Sequence, residues 1–262
     1  GNHALLVPKT ADGRVLFAVP WLGKTVLGTT DTPRNDLARE PQPFADEVAF
    51  ILRESARYLA RAPQRSDVRS VWVGLRPLVR PQGAADPDGG GTKALSREHT
   101  VLIGRSGLVT VTGGKWTTYR AMAEDVLERA MARGLLPRRP GGATVRLPLI
   151  SAAPGRPISE PPGEHLYGSE AALLRTLPGA DRWLWRDGSG GLSEAMVRFA
   201  ARYEMARTVE DVLARRSRLL FLDAAEAARQ AGAVAAILQE ELTRPMDTTA
   251  FEALAAQYQR LP

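Results

Sequence analysis

The chain has 262 residues, 44% hydrophobic and 24% charged, a balance that suits a sizeable core in one large domain or two modest ones. It has no cysteine, which excludes disulfides and thiolate chemistry, and His3, His99 and His165 lack the spacing of a metal site. The net charge of +6 is carried mostly by arginines scattered among acids, without a basic block, which argues against nucleic acid as a partner. Arg-rich stretches near the C-terminus fit a weak membrane-surface role better. No uncharged apolar run reaches the roughly 18 residues of a transmembrane helix. No signal peptide is recognisable, and Gly1 opens the chain where a methionine would stand, so it is expected to be cut from a longer protein.

Taken in order, Ala4-Leu5-Leu6-Val7 and Val15 to Val19 flank a turn-rich stretch and predict a hairpin. Val26 to Thr30 continues as a third short strand. Pro43 to Ala60 has helical period, with Phe44, Val48, Ile51, Leu52 and Leu59 on one face. Val71 to Leu75 reads as a strand again, and residues 82–93 as an aperiodic loop. Thr100 to Ile103 and Leu108 to Val111 predict a second hairpin. From Thr117 the period changes to 3.6, and Gly134 is placed to stop that helix. Residues 134–163 hold seven prolines and five glycines and read as a linker. Beyond it the pattern is mainly helical: a Thr208-to-Asp211 capping box leads a helix to Arg216, Ala-rich segments come next at 223–231 and 233–243, and a last helix spans about 247–258. The expected fold is α+β: a mixed, mainly antiparallel sheet in residues 1–133, the linker at 134–163, and an all-helical domain at 164–262.

Four features carry candidate chemistry. Gly113-Gly114-Lys115 lies where a strand gives way to a helix; the glycines admit a ligand close to the backbone, and the amides and Lys115 favour negative charge. A plain structural turn explains the same glycines. A P-loop does not fit, because Val109 stands at its first glycine and Trp116 where Ser or Thr must succeed the lysine. Arg76, closing the Val71 strand, and Arg97, opening the next hairpin, suit an anionic substrate or a structural ion pair. His3, before the first strand, can exchange protons near neutrality or simply pack. Asp31, after Gly28-Thr29-Thr30, reads as a turn residue.

In order and content these segments resemble the flavin-linked glycerol-3-phosphate dehydrogenases. The resemblance rests on Pro20-Trp21, Gly28 to Asp31, Gly74 to Leu78, Ser96-Arg97, Gly113 to Arg120, and Tyr203 to Arg207 leading to Glu210 through Arg216. It implies a DAO-type flavoprotein that oxidises sn-glycerol 3-phosphate to dihydroxyacetone phosphate with FAD and passes electrons to quinone. It further implies a homodimer, peripheral to the inner face of the cytoplasmic membrane. By motif, Arg76, Arg97 and Lys115 would bind the substrate, and His3 would take the carbon-2 hydroxyl proton. Gly113, Gly114, Lys115, Trp116 and Thr117 would meet the flavin. The strand–Gly-Xaa-Gly-Xaa-Xaa-Gly–helix that holds the ADP part of FAD has no counterpart in the 262 residues, since Gly89-Gly90-Gly91 lies in a polar loop. The chain alone is therefore expected to bind FAD poorly and to lack turnover. Other readings are a different DAO-type oxidase, or a non-catalytic helical module for dimerisation or membrane docking.

Overall fold

The computed structural model describes residues 2–10, 13–75, 98–152, 157–188 and 190–262. They form two compact units. The larger comprises Gly1–Asp31, Ala38–Val73 and Ile150–Pro262, and the smaller Thr32–Leu37 and Gly74–Leu149. The proline-rich stretch 134–163 thus contributes to both.

The larger unit opens with the expected strands, β1 (Leu5–Val7), β2 (Leu16–Trp21) and β3 (Lys24–Gly28), in an antiparallel sheet of that order. Leu22 and Gly23 make the two-residue turn between β2 and β3, both at positive φ, as a tight hairpin requires. Period-2 alternation turns Leu16 and Ala18 inward. Helix α1 (Ala45–Ala56) packs on β2 and β3. Its first turn is closed by Glu47, whose Oε2 accepts the Phe44 amide at 3.3 Å.

Val71 to Leu75 is not a strand. A strand needs a laddered partner, whereas the Val71 amide donates to the Tyr258 carbonyl at 2.8 Å, near the end of a helix.

In the smaller unit β4 (His99–Ile103) and β5 (Val109–Gly113) pair antiparallel, with His99 opposite Gly113. Helix α2 (Tyr119–Ala132) packs on this hairpin. Gly134, at φ 73°, ends it as expected.

The C-terminal part of the larger unit contains α3 (Ala171–Arg175), β6 (Trp183–Asp187), β7 (Gly190–Ser193), α4 (Glu194–Tyr203), α5 (Leu219–Leu222), α6 (Ala224–Leu242) and α7 (Thr249–Gln259). The β6–β7 hairpin departs from an all-helical reading. The two Ala-rich segments merge into α6, since Gly232 costs a helix only about 1 kcal/mol against Ala. The Thr208 capping box forms: Asp211 Oδ2 accepts the Thr208 amide at 3.0 Å, and Thr208 Oγ1 accepts the Asp211 amide at 3.1 Å. The box opens onto a wide π turn over Asp211–Arg216 rather than an ordinary α-helix. Its mark is the Ser217 amide, which donates to the Val212 carbonyl five residues back at 2.8 Å.

This region holds the main core, in which Val197, Phe199, Leu213, Leu219, Val234 and Leu238 are buried. On its flank Arg198 bridges Glu194 at 2.5 Å, Glu240 at 2.7 Å and Glu241 at 2.7 Å, while Arg202 holds Glu241 at 2.6 Å and Arg182 also pairs with Glu194. Among the described residues all strand pairs are antiparallel, and no helix is long and apolar enough to cross a membrane.

Candidate functional site

The strand-to-helix junction of the smaller unit is built around backbone that only glycine can supply. Gly113 and Gly114 adopt φ 76° and 82°, the left-handed region that a side chain disfavours. A Cβ on Gly114 would stand 2.6 Å from the Met122 thioether and 3.0 Å from His99 Cβ. Lys115 then runs extended, and its carbonyl accepts both the amide and the hydroxyl of Thr118 at 3.0 Å. That closes a single 3₁₀ turn over Trp116–Thr118, which feeds α2. The leading amides of such a turn have no helical acceptor and stay free for a ligand.

Lys115, Trp116 and Thr117 are exposed; Trp116 is 85% exposed and stacks on Tyr119 at 5.4 Å. Among the described residues no carboxylate pairs with Lys115. The neighbouring cations are occupied: Arg120 pairs with Glu124 at 2.8 Å, and Arg129 with Asp125 at 2.9 Å. The turn therefore offers a cation, free amides and a flat aromatic surface together. Such a set can hold an anion or stabilise charge on the edge of a planar ring, and it fits the pyrimidine end of a flavin.

The structure also adds His99, which motif reading left unassigned. Its Nε2 lies 2.8 Å from Asp125 Oδ2, and Asp125 is gripped in turn by Arg129. Arg129, then His99, hold the Asp125 carboxyl below its ordinary range. These linked contacts tie β4 to α2 directly beneath Gly114. The i,i+4 pair Asp125–Arg129 was visible in the helix pattern, but a histidine 26 residues upstream was not.

His3 belongs to the larger unit, exposed in the extended run that enters β1. Lys115, Gly113, Gly114, Trp116 and Thr117 belong to the smaller unit and form one continuous turn. Arg76 and Arg97 fall outside the described residues, as does the loop at 82–93. Among the described residues no group of acidic and histidine side chains forms a metal site.

Residues 2–120 match the family model described as FAD dependent oxidoreductase, and residues 164–248 that of the C-terminal domain of alpha-glycerophosphate oxidase. The mitochondrial glycerol-3-phosphate dehydrogenase of Arabidopsis thaliana is 38% identical over 266 residues, covering 90% of this chain and 41% of the relative. Its counterpart in Schizosaccharomyces pombe is 34% identical, with 92% and 44% covered. The human counterpart is 35% identical, with 92% and 35% covered. The crystal structure of the glycerol-3-phosphate dehydrogenase from Bacillus halodurans complexed with FAD superposes with a TM-score of 0.72 at 21% identity, covering 99% of this chain and 54% of that one; this likeness speaks for the fold. The two family models succeed one another in the order that the motifs implied. The chain is thus a relative of the FAD-dependent glycerol-3-phosphate dehydrogenases, spanning less than half the length of the curated relatives it matches.

Proposed function

We propose that this chain is part of a flavoenzyme that oxidises sn-glycerol 3-phosphate to dihydroxyacetone phosphate. The observation that carries the reading is the Gly113–Gly114–Lys115 turn, whose unpaired cation and free amides meet at a backbone with no space for a side chain. FAD would supply the hydride acceptor for carbon 2 of the substrate. Lys115 would stabilise negative charge on the ring, with the backbone from Gly113 to Thr117 bonding its pyrimidine edge. Arg76 and Arg97 would bind the phosphate as charge-assisted donors. His3 would accept the proton of the carbon-2 hydroxyl. Quinone as electron acceptor, a homodimer, a peripheral place on the inner face of the cytoplasmic membrane, and the division into residues 1–133, 134–163 and 164–262 belong to the same proposal.

Two measurements test it. The purified chain, titrated with FAD and monitored by flavin absorbance, is expected to bind weakly and to show no turnover. In the full-length gene product, Arg76→Ala is expected to raise the KM for glycerol 3-phosphate roughly tenfold or more, the worth of a charged hydrogen bond. A yellow, active 262-residue chain would overturn the first expectation. An Arg76→Ala change felt in amino-acid oxidation instead would favour another DAO-type oxidase.

A further inference from the structure

A second polar site lies inside the C-terminal helical region. A cavity of about 170 Å³ opens between the π turn and the segment around Tyr167, lined by Tyr167, Glu204, Arg216 and Arg218. It is smaller than the roughly 300–1,000 Å³ of pockets for drug-sized ligands, so its occupant is small.

Its charges are unbalanced. Arg215, at the rim, is neutralised by Glu210 at 2.5 Å and Asp211 at 3.0 Å. Arg216 and Arg218 are half-buried and have no such partner among the described residues. Arg216 donates to the Glu204 backbone carbonyl, and Arg218 to the Arg216 carbonyl at 2.8 Å. Each guanidinium has five N–H donors, so both retain free ones. Glu204 does not balance them, and its Oε2 is buried without a hydrogen-bond partner. Burial pushes its carboxyl above the ordinary value; Arg216 and Arg218 oppose this and Glu170 adds to it. Even with Glu204 ionised, Arg216 and Arg218 leave the lining with more cation than anion. The Tyr167 phenol stands beside them, where Glu204 and Arg218 act on it electrostatically in opposite senses.

The backbone is shaped at the same place. Met205 and Arg218 take φ 57° and 61°, a left-handed conformation that costs a non-glycine residue of order 1–3 kcal/mol. Met205 comes directly after Glu204, and Arg218 comes two residues after the π turn, so left-handed backbone flanks lining residues on both segments.

We propose that this cavity is a binding site for a small tetrahedral oxyanion of the phosphate class, held by Arg216 and Arg218, with Tyr167 and Glu204 completing its hydrogen bonds. Phosphate suits the lining, since its oxygens accept from guanidinium and phenol while a protonated oxygen can donate to the Glu204 carboxylate. The site belongs to the larger unit and Lys115 to the smaller, and its existence does not depend on the proposed dehydrogenase activity.

The test is calorimetric titration of the full chain with inorganic phosphate at constant ionic strength, repeated with glycerol 3-phosphate. Arg218→Gln is expected to weaken phosphate binding at least about tenfold, the loss of one charge-assisted hydrogen bond. Tyr167→Phe, which removes only a hydroxyl, is expected to weaken it several-fold. Glu204→Gln is expected to keep or improve it. Circular dichroism checks that each variant is folded. If the phosphate monoester binds more tightly in an Arg218-dependent way, the site stands and its ligand is the ester. Phosphate binding that ignores both Arg218→Gln and Tyr167→Phe, or no binding at all, overturns the proposal.

Discussion

Between Leu174 and Ala255 the chain buries Val197, Phe199, Leu213, Leu219 and Leu238 almost completely; in the smaller unit, Val101 and Ala130 are the buried hydrophobic residues among those described. There Leu108, Val111, Leu127, Val145 and Leu147 stay exposed in the unit whose turn carries Lys115. One region is a core that specifies itself, with ionic contacts clamped on its flank. The other is a framework of hydrogen bonds and glycine geometry that leaves its apolar surface open. Packing is thus concentrated in one region while the candidate Lys115 turn lies in the other, and perturbations should separate the two.

The largest expected effect falls on the helical core. Phe199→Ala removes a ring packed between Tyr167 and Tyr203 and should cost about 4 kcal/mol in denaturant unfolding. Arg198→Ala leaves the buried carboxylates of Glu194 and Glu241 with one partner fewer each, which should cost about 3 kcal/mol by the same measurement. Gly114→Ala forces a Cβ against Met122 from a left-handed backbone. About 2 kcal/mol is expected, seen as faster hydrogen exchange in β4, β5 and α2 while α4 and α6 stay protected. Equal loss of protection in α6 would dissolve the contrast between the regions.

Two carboxyls within the helical region sharpen it through pH. Arg202 above all, with Arg198 adding and burial opposing, holds Glu241 below its ordinary 4.5. Its contribution is therefore present above that value and lost as pH falls through the folded one. Glu204 is shifted upward by burial, so its contribution is full below 4.5 and is lost as pH rises through its folded value. Melting curves against pH should lose their acid-side slope in Glu241→Gln and the slope on the neutral side in Glu204→Gln. The smallest effect on stability belongs to Lys115→Ala, an exposed and unpaired cation: less than about 0.5 kcal/mol. Its loss should be felt in turnover of the full-length protein instead.

Much of this was legible in residue order. Period 2 marked β1 to β5, period 3.6 marked α1 and α2, and Gly134 marked a stop, because each is a local rule. The Gly113 turn was legible for the same reason. The features that escaped depend on partners remote in sequence. Trp183 to Asp187 became a strand by pairing with Gly190 to Ser193, within a stretch read as helical. Val71 to Leu75 had strand composition but, among the described residues, no strand pairs with it. The Thr208 box announced a helix start, yet nothing local signalled that the turn would widen to a π geometry at Val212 and Ser217. The lining of the second cavity, Tyr167 with Arg216 and Arg218, joins segments some fifty residues apart, beyond the reach of any period.

Trp116 has one further use. An indole that is 85% exposed and stacked on a tyrosine is open to collisional quenchers, while Trp183 and Trp185 are half-buried. Trp72, at 38% exposure, is the next most open, so iodide should extinguish the emission of Trp116 first, and Trp116→Phe should remove most of the accessible fraction. The same indole overlaps spectrally with an oxidised isoalloxazine, so energy transfer would report ligand arrival at the turn without any attached dye.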